Sequence, residues 1–166
     1  QNWSTLWTTL SKLDLSKKEK VSLSSDPRFL QFVKETTNLL TTPLNKLDNN
    51  YFFASSRDIA GIALAVAYLH VPHSPTTQVY KELMLGIIHR PDFLIQSNQI
   101  RDITEILWSF IKLQIPLKNG CGEFLEKVDK NAGELFPNMT SKEIAMIANS
   151  FALLNEQGMT NDDNNN

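Results

Sequence analysis

Residues 57–70 read RDIAGIALAVAYLH, residues 101–114 read RDITEILWSFIKLQ, and residues 142–155 read KEIAMIANSFALLN. They align without a gap: a basic residue, an acidic residue, Ile, a second Ile three positions on, then a small residue, an aromatic or aliphatic residue and Leu. The starts lie 44 and then 41 residues apart. Self-similarity at such a period marks a helical-repeat array, in which each unit buries its apolar face only against its neighbours. It predicts an all-α fold and moves the search for function from a pocket to an extended surface.

In the middle copy the apolar positions are Ile103, Ile106, Leu107, Phe110 and Leu113. Steps of three and four place them on one helical stripe. Ile59, Ile62, Ala63, Val66 and Leu69 match them in the first copy, and Ile144, Ile147, Ala148, Phe151 and Leu154 in the third. Ala65, Ser109 and Ser150 put a small residue at one fixed position, where a neighbouring helix can approach closely. Ser55 stands three before Asp58, and Thr140 three before Glu143, the spacing of a capping box. Gln99 and Asp102 form a weaker version in the middle copy.

A second helix follows each of the first two copies. Tyr80, Leu83, Met84, Ile87 and Ile88 make one apolar stripe, and Phe124, Leu125 and Val128 a shorter one. Pro72 and Pro75, then Pro116, Gly120 and Gly122, break the chain between the helices. The unit is therefore helix A, loop, helix B, connector. Shifted by 100, Trp3, Leu6, Trp7, Thr9, Leu10 and Leu13 fall on the middle copy's stripe, a worn fourth copy. A charged insert (Lys17, Lys18, Glu19, Lys20) follows it, then a B helix from about Pro27, with Asp26-Pro27 as its start.

The expected architecture is a short right-handed superhelix, an α-solenoid of about three and a half helix-pair repeats, in one domain over residues 1–158. Its A helices lie near 3–13, 57–70, 101–114 and 142–155, and an Asn/Asp tail at 159–166 is expected to be disordered. The last A helix has a repeat neighbour on one side only, and the tail lacks the apolar residues to cover the other. Another molecule is expected to contact it.

The chain has 166 residues, enough for one domain that buries roughly 70% of its unfolded surface. Net charge is -2, and the pI is near 5.9. That balance disfavours broad electrostatic attraction to nucleic acid, though a local basic stripe stays compatible with it. The longest apolar run, Ile62 to Leu69, falls far short of the roughly 20 residues a bilayer span needs. One cysteine, Cys121, between two glycines, reads as a loop thiol in a reducing compartment.

Arg57, Arg101 and Lys142 recur at the start of each copy, where the helix dipole disfavours a cation. One reading makes them solvated charges or partners of a neighbouring repeat's carboxylate. The other makes them a ladder of phosphate contacts. Trp108 either packs between helices or stacks on a base. Around it the copies differ: Leu64, Trp108 and Asn149 align, as do Tyr68, Lys112 and Leu153. Variation on a fixed frame suits a binding face, and solvent exposure predicts the same.

His70 and His73 flank Pro72 without the further ligands a metal needs. His89-Arg90 reads as a helix C-terminal cation. Glycine-rich phosphate loops, nucleophile elbows and HExxH are all missing from the sequence, so no catalytic residue, metal site or cofactor is expected and the chain is not expected to be an enzyme.

ILWSFIKL (106–113) and IANSFALL (147–154), in a unit near 40 residues, resemble the octotricopeptide and heptatricopeptide class of organellar helical-repeat proteins, relatives of RAP-domain proteins. The resemblance implies a mitochondrial or plastid superhelix of paired helices that handles organellar RNA, and a mitochondrial location is expected. On that footing the chain is expected to be a structural, RNA-associated subunit of a mitochondrial ribosome or RNA-processing particle. Its partners would be ribosomal or other organellar RNA and neighbouring proteins, with Arg57, Arg101, Lys142, Lys112, Trp108 and Asn149 as RNA-contact candidates. The acidic pI and the apolar Leu64, Tyr68 and Leu153 support an alternative: a protein–protein scaffold subunit of a large mitochondrial complex, without RNA contact.

Overall fold

The computed structural model describes residues 3–42, 55–74, 76–88, 100–115, 121–130, 133 and 136–162. Among them are eight α-helices and no strand. They are α1 (Trp3–Lys12), α2 (Lys17–Ser24), α3 (Pro27–Thr41), α4 (Ser56–Leu69), α5 (Thr77–Ile88), α6 (Ile100–Lys112), α7 (Cys121–Lys130) and α8 (Ser141–Asp162). A single 3-10 turn, Phe136–Asn138, precedes α8. No helix among the described residues is long and apolar enough to cross a membrane.

The helix starts follow their local chemistry. Thr140 and Glu143 form the expected capping box: the Thr140 N–H donates to Glu143 Oε2 at 2.8 Å, and the Glu143 N–H donates to Thr140 Oγ1 at 3.3 Å. The Ser55 hydroxyl accepts from the Asp58 N–H at 3.2 Å and donates to its carboxylate at 2.8 Å. Asp26 caps α3, its Oδ1 accepting from the Arg28 N–H at 2.8 Å, with Pro27 opening the helix. Gln99, His89-Arg90, the connector at 43–54, Pro75, Pro116 and the tail from 163 lie outside the described residues.

Three expectations change. The charged insert is a helix, α2, closed by its own capping box between Ser16 and Glu19. Lys20 pins it to α4 by donating to the Tyr68 carbonyl at 2.8 Å and lying 4.0 Å from the Tyr68 ring centroid. Cys121 opens α7 rather than sitting in a loop. α8 runs on to Asp162, past the expected start of the tail at 159. No proline stops it, and extending an existing helix fixes few dihedrals per bond gained. The Asp102 carboxylate, expected in a weak box with Gln99, turns towards α4.

The A helices pack in sequence, α1 on α4, α4 on α6 and α6 on α8, while α3 packs on α5 and α5 on α7. Small residues set the approach. A Cβ on Gly61 of α4 would lie 3.3 Å from Thr8 Oγ1 of α1, and one on Gly86 of α5 would lie 3.2 Å from Thr41 Cγ2 of α3. Ala65, Ser109 and Ser150 are all buried as expected. The serine hydroxyls are satisfied within their own helices, donating to the Glu105 and Met146 carbonyls at 2.7 Å. Aromatics lock A to B: Trp3 stacks on Phe32 with ring centroids 5.0 Å apart, and Phe110 meets Phe124 at 5.9 Å. Trp7 is fully buried, and its indole N–H donates to Thr36 Oγ1 at 3.1 Å.

The repeated stripe has two edges that face opposite neighbours. Ile106 and Ser109 lie on the edge towards the preceding A helix. Their counterparts in α8, Ile147 and Ser150, are buried at 5% and 1% exposure, whereas those in α1, Leu6 and Thr9, are exposed. Ile103, Leu107 and Phe110 lie on the other edge. There α1 has Trp3, Trp7 and Leu10, all in or against the core, while α8 has Ile144, Ala148 and Phe151, all exposed. Ile144 is 50% and Phe151 40% exposed; on this edge Trp3 and Phe110 meet the B-helix rings of Phe32 and Phe124, and Phe151 has no such ring contact among the described residues.

Candidate functional site

The first turns of α4 and α6 meet, and the recurring charges converge there. Asp102 is buried, its side chain 1% exposed. A buried carboxylate needs hydrogen bonds on both oxygens to offset lost hydration. Oδ2 accepts from the Ser56 hydroxyl at 2.7 Å, and Oδ1 accepts from Arg57 Nη1 at 3.1 Å. The same Nη1 donates to Glu105 Oε2 at 2.9 Å, and Arg101 Nε donates to Glu105 Oε1 at 2.9 Å. Two cations and two carboxylates alternate in one network across the junction between copies. Burial alone would lower the pKa of Arg57. The hydrogen bond to Asp102 and the fields of Glu105 and Asp102 outweigh it and raise the guanidinium above its ordinary value.

The next junction follows the same rule more loosely. Glu143 of α8 aligns with Asp102 of α6. Its carboxyl is held below its ordinary value by the Thr140 hydroxyl, then by the Thr140 backbone, and also by the charge of Arg101. The basic residue of one copy therefore lies near the acidic residue of the next. Lys142, the last in the row, is exposed, and no carboxylate accepts from it among the described residues.

Of the RNA-contact candidates, Arg57 and Arg101 thus sit in the carboxylate network. Lys142, Lys112 and Asn149 are exposed, and Trp108 is half-buried. Trp108 and Lys112 stand four apart on α6, and Asn149 of α8 aligns with Trp108. Of the partner candidates, Tyr68 and Leu153 are exposed and Leu64 is half-buried. Part of Tyr68 is already covered by Lys20. Other exposed large apolar residues are Leu6, Leu13 and Val21 towards the N-terminal end, and Phe136, Ile144 and Phe151 in α8 and the turn before it. Ser56 and Glu105 were missed from sequence, although Ser56-Arg57 recurs as Ser141-Lys142.

His70 is half-buried, and His73 sits in a turn with φ 62°. Burial, then the charges of Lys81, Lys112 and His73, hold His70 below its ordinary pKa. No group of three or more His, Cys, Asp or Glu placed to hold a metal occurs among the described residues. The network can join helices and select neighbours by charge. No family model matches the chain, and no curated protein or solved structure matches it.

Proposed function

We propose that this chain is a non-catalytic protein–protein scaffold, a short right-handed α-solenoid of about three and a half helix-pair repeats built into a large organellar assembly. The observation that carries this reading is the commitment of Arg57 and Arg101 to Asp102 and Glu105. Phosphates would have to displace carboxylates already in place, so the row offers little free cation for counterion release. Ile144 and Phe151, both exposed and seven residues apart on one side of α8, give a second support, since exposed apolar side chains grouped on one face suit protein contact.

A second reading keeps the chain as an RNA-associated subunit of a mitochondrial ribosome or RNA-processing particle. It draws on Lys112, Lys142 and Asn149, all exposed. Affinity purification of the tagged chain from its native cells, with and without nuclease, separates the two. The scaffold reading expects the same co-purifying proteins after nuclease treatment. Loss of those proteins on digestion, with an RNA affinity that falls steeply as salt rises, would overturn it in favour of RNA.

A further inference from the structure

The start of α8 repeats the start of α4 in detail. Shifted by 85, Ser56, Arg57, Ala60, Ala63, Val66 and Ala67 become Ser141, Lys142, Ala145, Ala148, Phe151 and Ala152. In α4 the pair Ser56-Arg57 clasps the buried Asp102 of the following helix, and the three alanines and Val66 behind it are buried. In α8 all six counterparts are exposed. A hydroxyl, a cation and a small-residue face therefore stand ready in the arrangement that, two junctions earlier, holds a carboxylate-bearing helix.

From this we infer that the free face of α8 docks an amphipathic helix of a partner protein, one with a carboxylate in its first turn. Ser141 and Lys142 clasp that carboxylate as Ser56 and Arg57 clasp Asp102. Ala145, Ala148 and Ala152 let the incoming helix approach closely, and Ile144 and Phe151 lie beneath its apolar stripe. The inference rests on the scaffold reading and names the partner's chemistry. Charge argues against a second copy as the occupant. The positions of Asp102 and Glu105 hold Asn2 and Thr5 in the first A helix, so neither charge would meet Lys142.

The probe is a fluorescein-labelled peptide of residues 99–115, the segment that the equivalent clasp holds in this fold. Titrated with the full chain and followed by anisotropy, it is expected to bind saturably. Lys142→Glu in the chain weakens binding about tenfold, as like charges placed in contact do. An Asp102→Lys peptide restores binding to the Lys142→Glu chain. Ala148→Glu abolishes binding while leaving the circular dichroism unchanged. Three results would overturn the inference: no saturable binding, equal affinity for the Lys142→Glu chain, or sedimentation showing self-association that Ala148→Glu removes. Loss of labelled oligouridine binding with Lys142→Glu would likewise assign this face to RNA. The scaffold reading stands independently if nuclease-resistant partners co-purify equally with Lys142→Glu and Ala148→Glu, while the clasp then fails.

Discussion

The Ser56 hydroxyl and the Asp102 carboxylate lie 2.7 Å apart across the junction of two repeat copies, 46 positions apart in sequence. Arg57 supplies the charge that makes burial of Asp102 tolerable. Removing one partner of a buried pair is costly because the other charge stays buried. Arg57→Ala should therefore destabilise the fold by about 2 kcal/mol, below the 3–5 kcal/mol of fully buried pairs because the guanidinium is 46% exposed and water screens it. Asp102→Ala should cost less, since the exposed Arg57 can be hydrated. The double variant should cost no more than Arg57→Ala alone. Urea unfolding of the three proteins measures this; additive losses would show that the pair is uncoupled.

The two edges of the stripe give a contrast at one residue type. Ile106 is fully buried, and Ile144 is 50% exposed. Ile106→Ala should cost about 2–5 kcal/mol, because it removes packed methyl groups and leaves a cavity. Ile144→Ala should stay within about 0.5 kcal/mol, as exposed substitutions do. Thermal melts of both variants test this, and similar losses would mean that α8 is covered in the isolated chain.

Acid should weaken the helix starts. Glu19 is held below its ordinary value of 4.5 by the Ser16 hydroxyl and backbone, and Glu143 by those of Thr140. Asp26 falls from 3.8 to about 2, chiefly through hydrogen bonds from the Arg28 side chain and backbone. All three native values lie below the unfolded ones, so the stability they confer is present above about pH 4.5 and is lost as pH falls towards 2. The urea midpoint should fall over that window. Asp26→Asn should flatten the lowest part of the fall, and an unchanged profile would show that Asp26 is not linked to folding.

Periodicity made the A helices legible because their stripe is long and their caps are sequence-local. Tyr80 to Ile88 and Phe124 to Val128 were legible as B helices for the same reason. The helix at Lys17–Ser24 was not, because its composition is charged and its stability comes from the Ser16 box and from the distant Tyr68. The Arg57 contact could be framed as one of two readings but not decided. Which carboxylate it meets depends on how α4 and α6 cross, and no local pattern contains that. The exposure of Ile144 and Phe151 follows from the number of neighbours a helix has, which is a property of the array rather than of the segment.

The unequal flanking of the A helices also sets how the molecule breathes. Among the described residues α4 and α6 pack on an A helix on each side, whereas α1 and α8 pack on one each. Where helices are held mainly by packing on their neighbours, each missing interface lowers the free energy of opening, so local unfolding should start at α1 and α8 and move inward. Amide hydrogens of α8 should exchange with solvent well before those of α6, although both carry the same stripe. A ligand seated on α8 would then slow exchange first in α8 itself, a protection that reports docking without any change of shape.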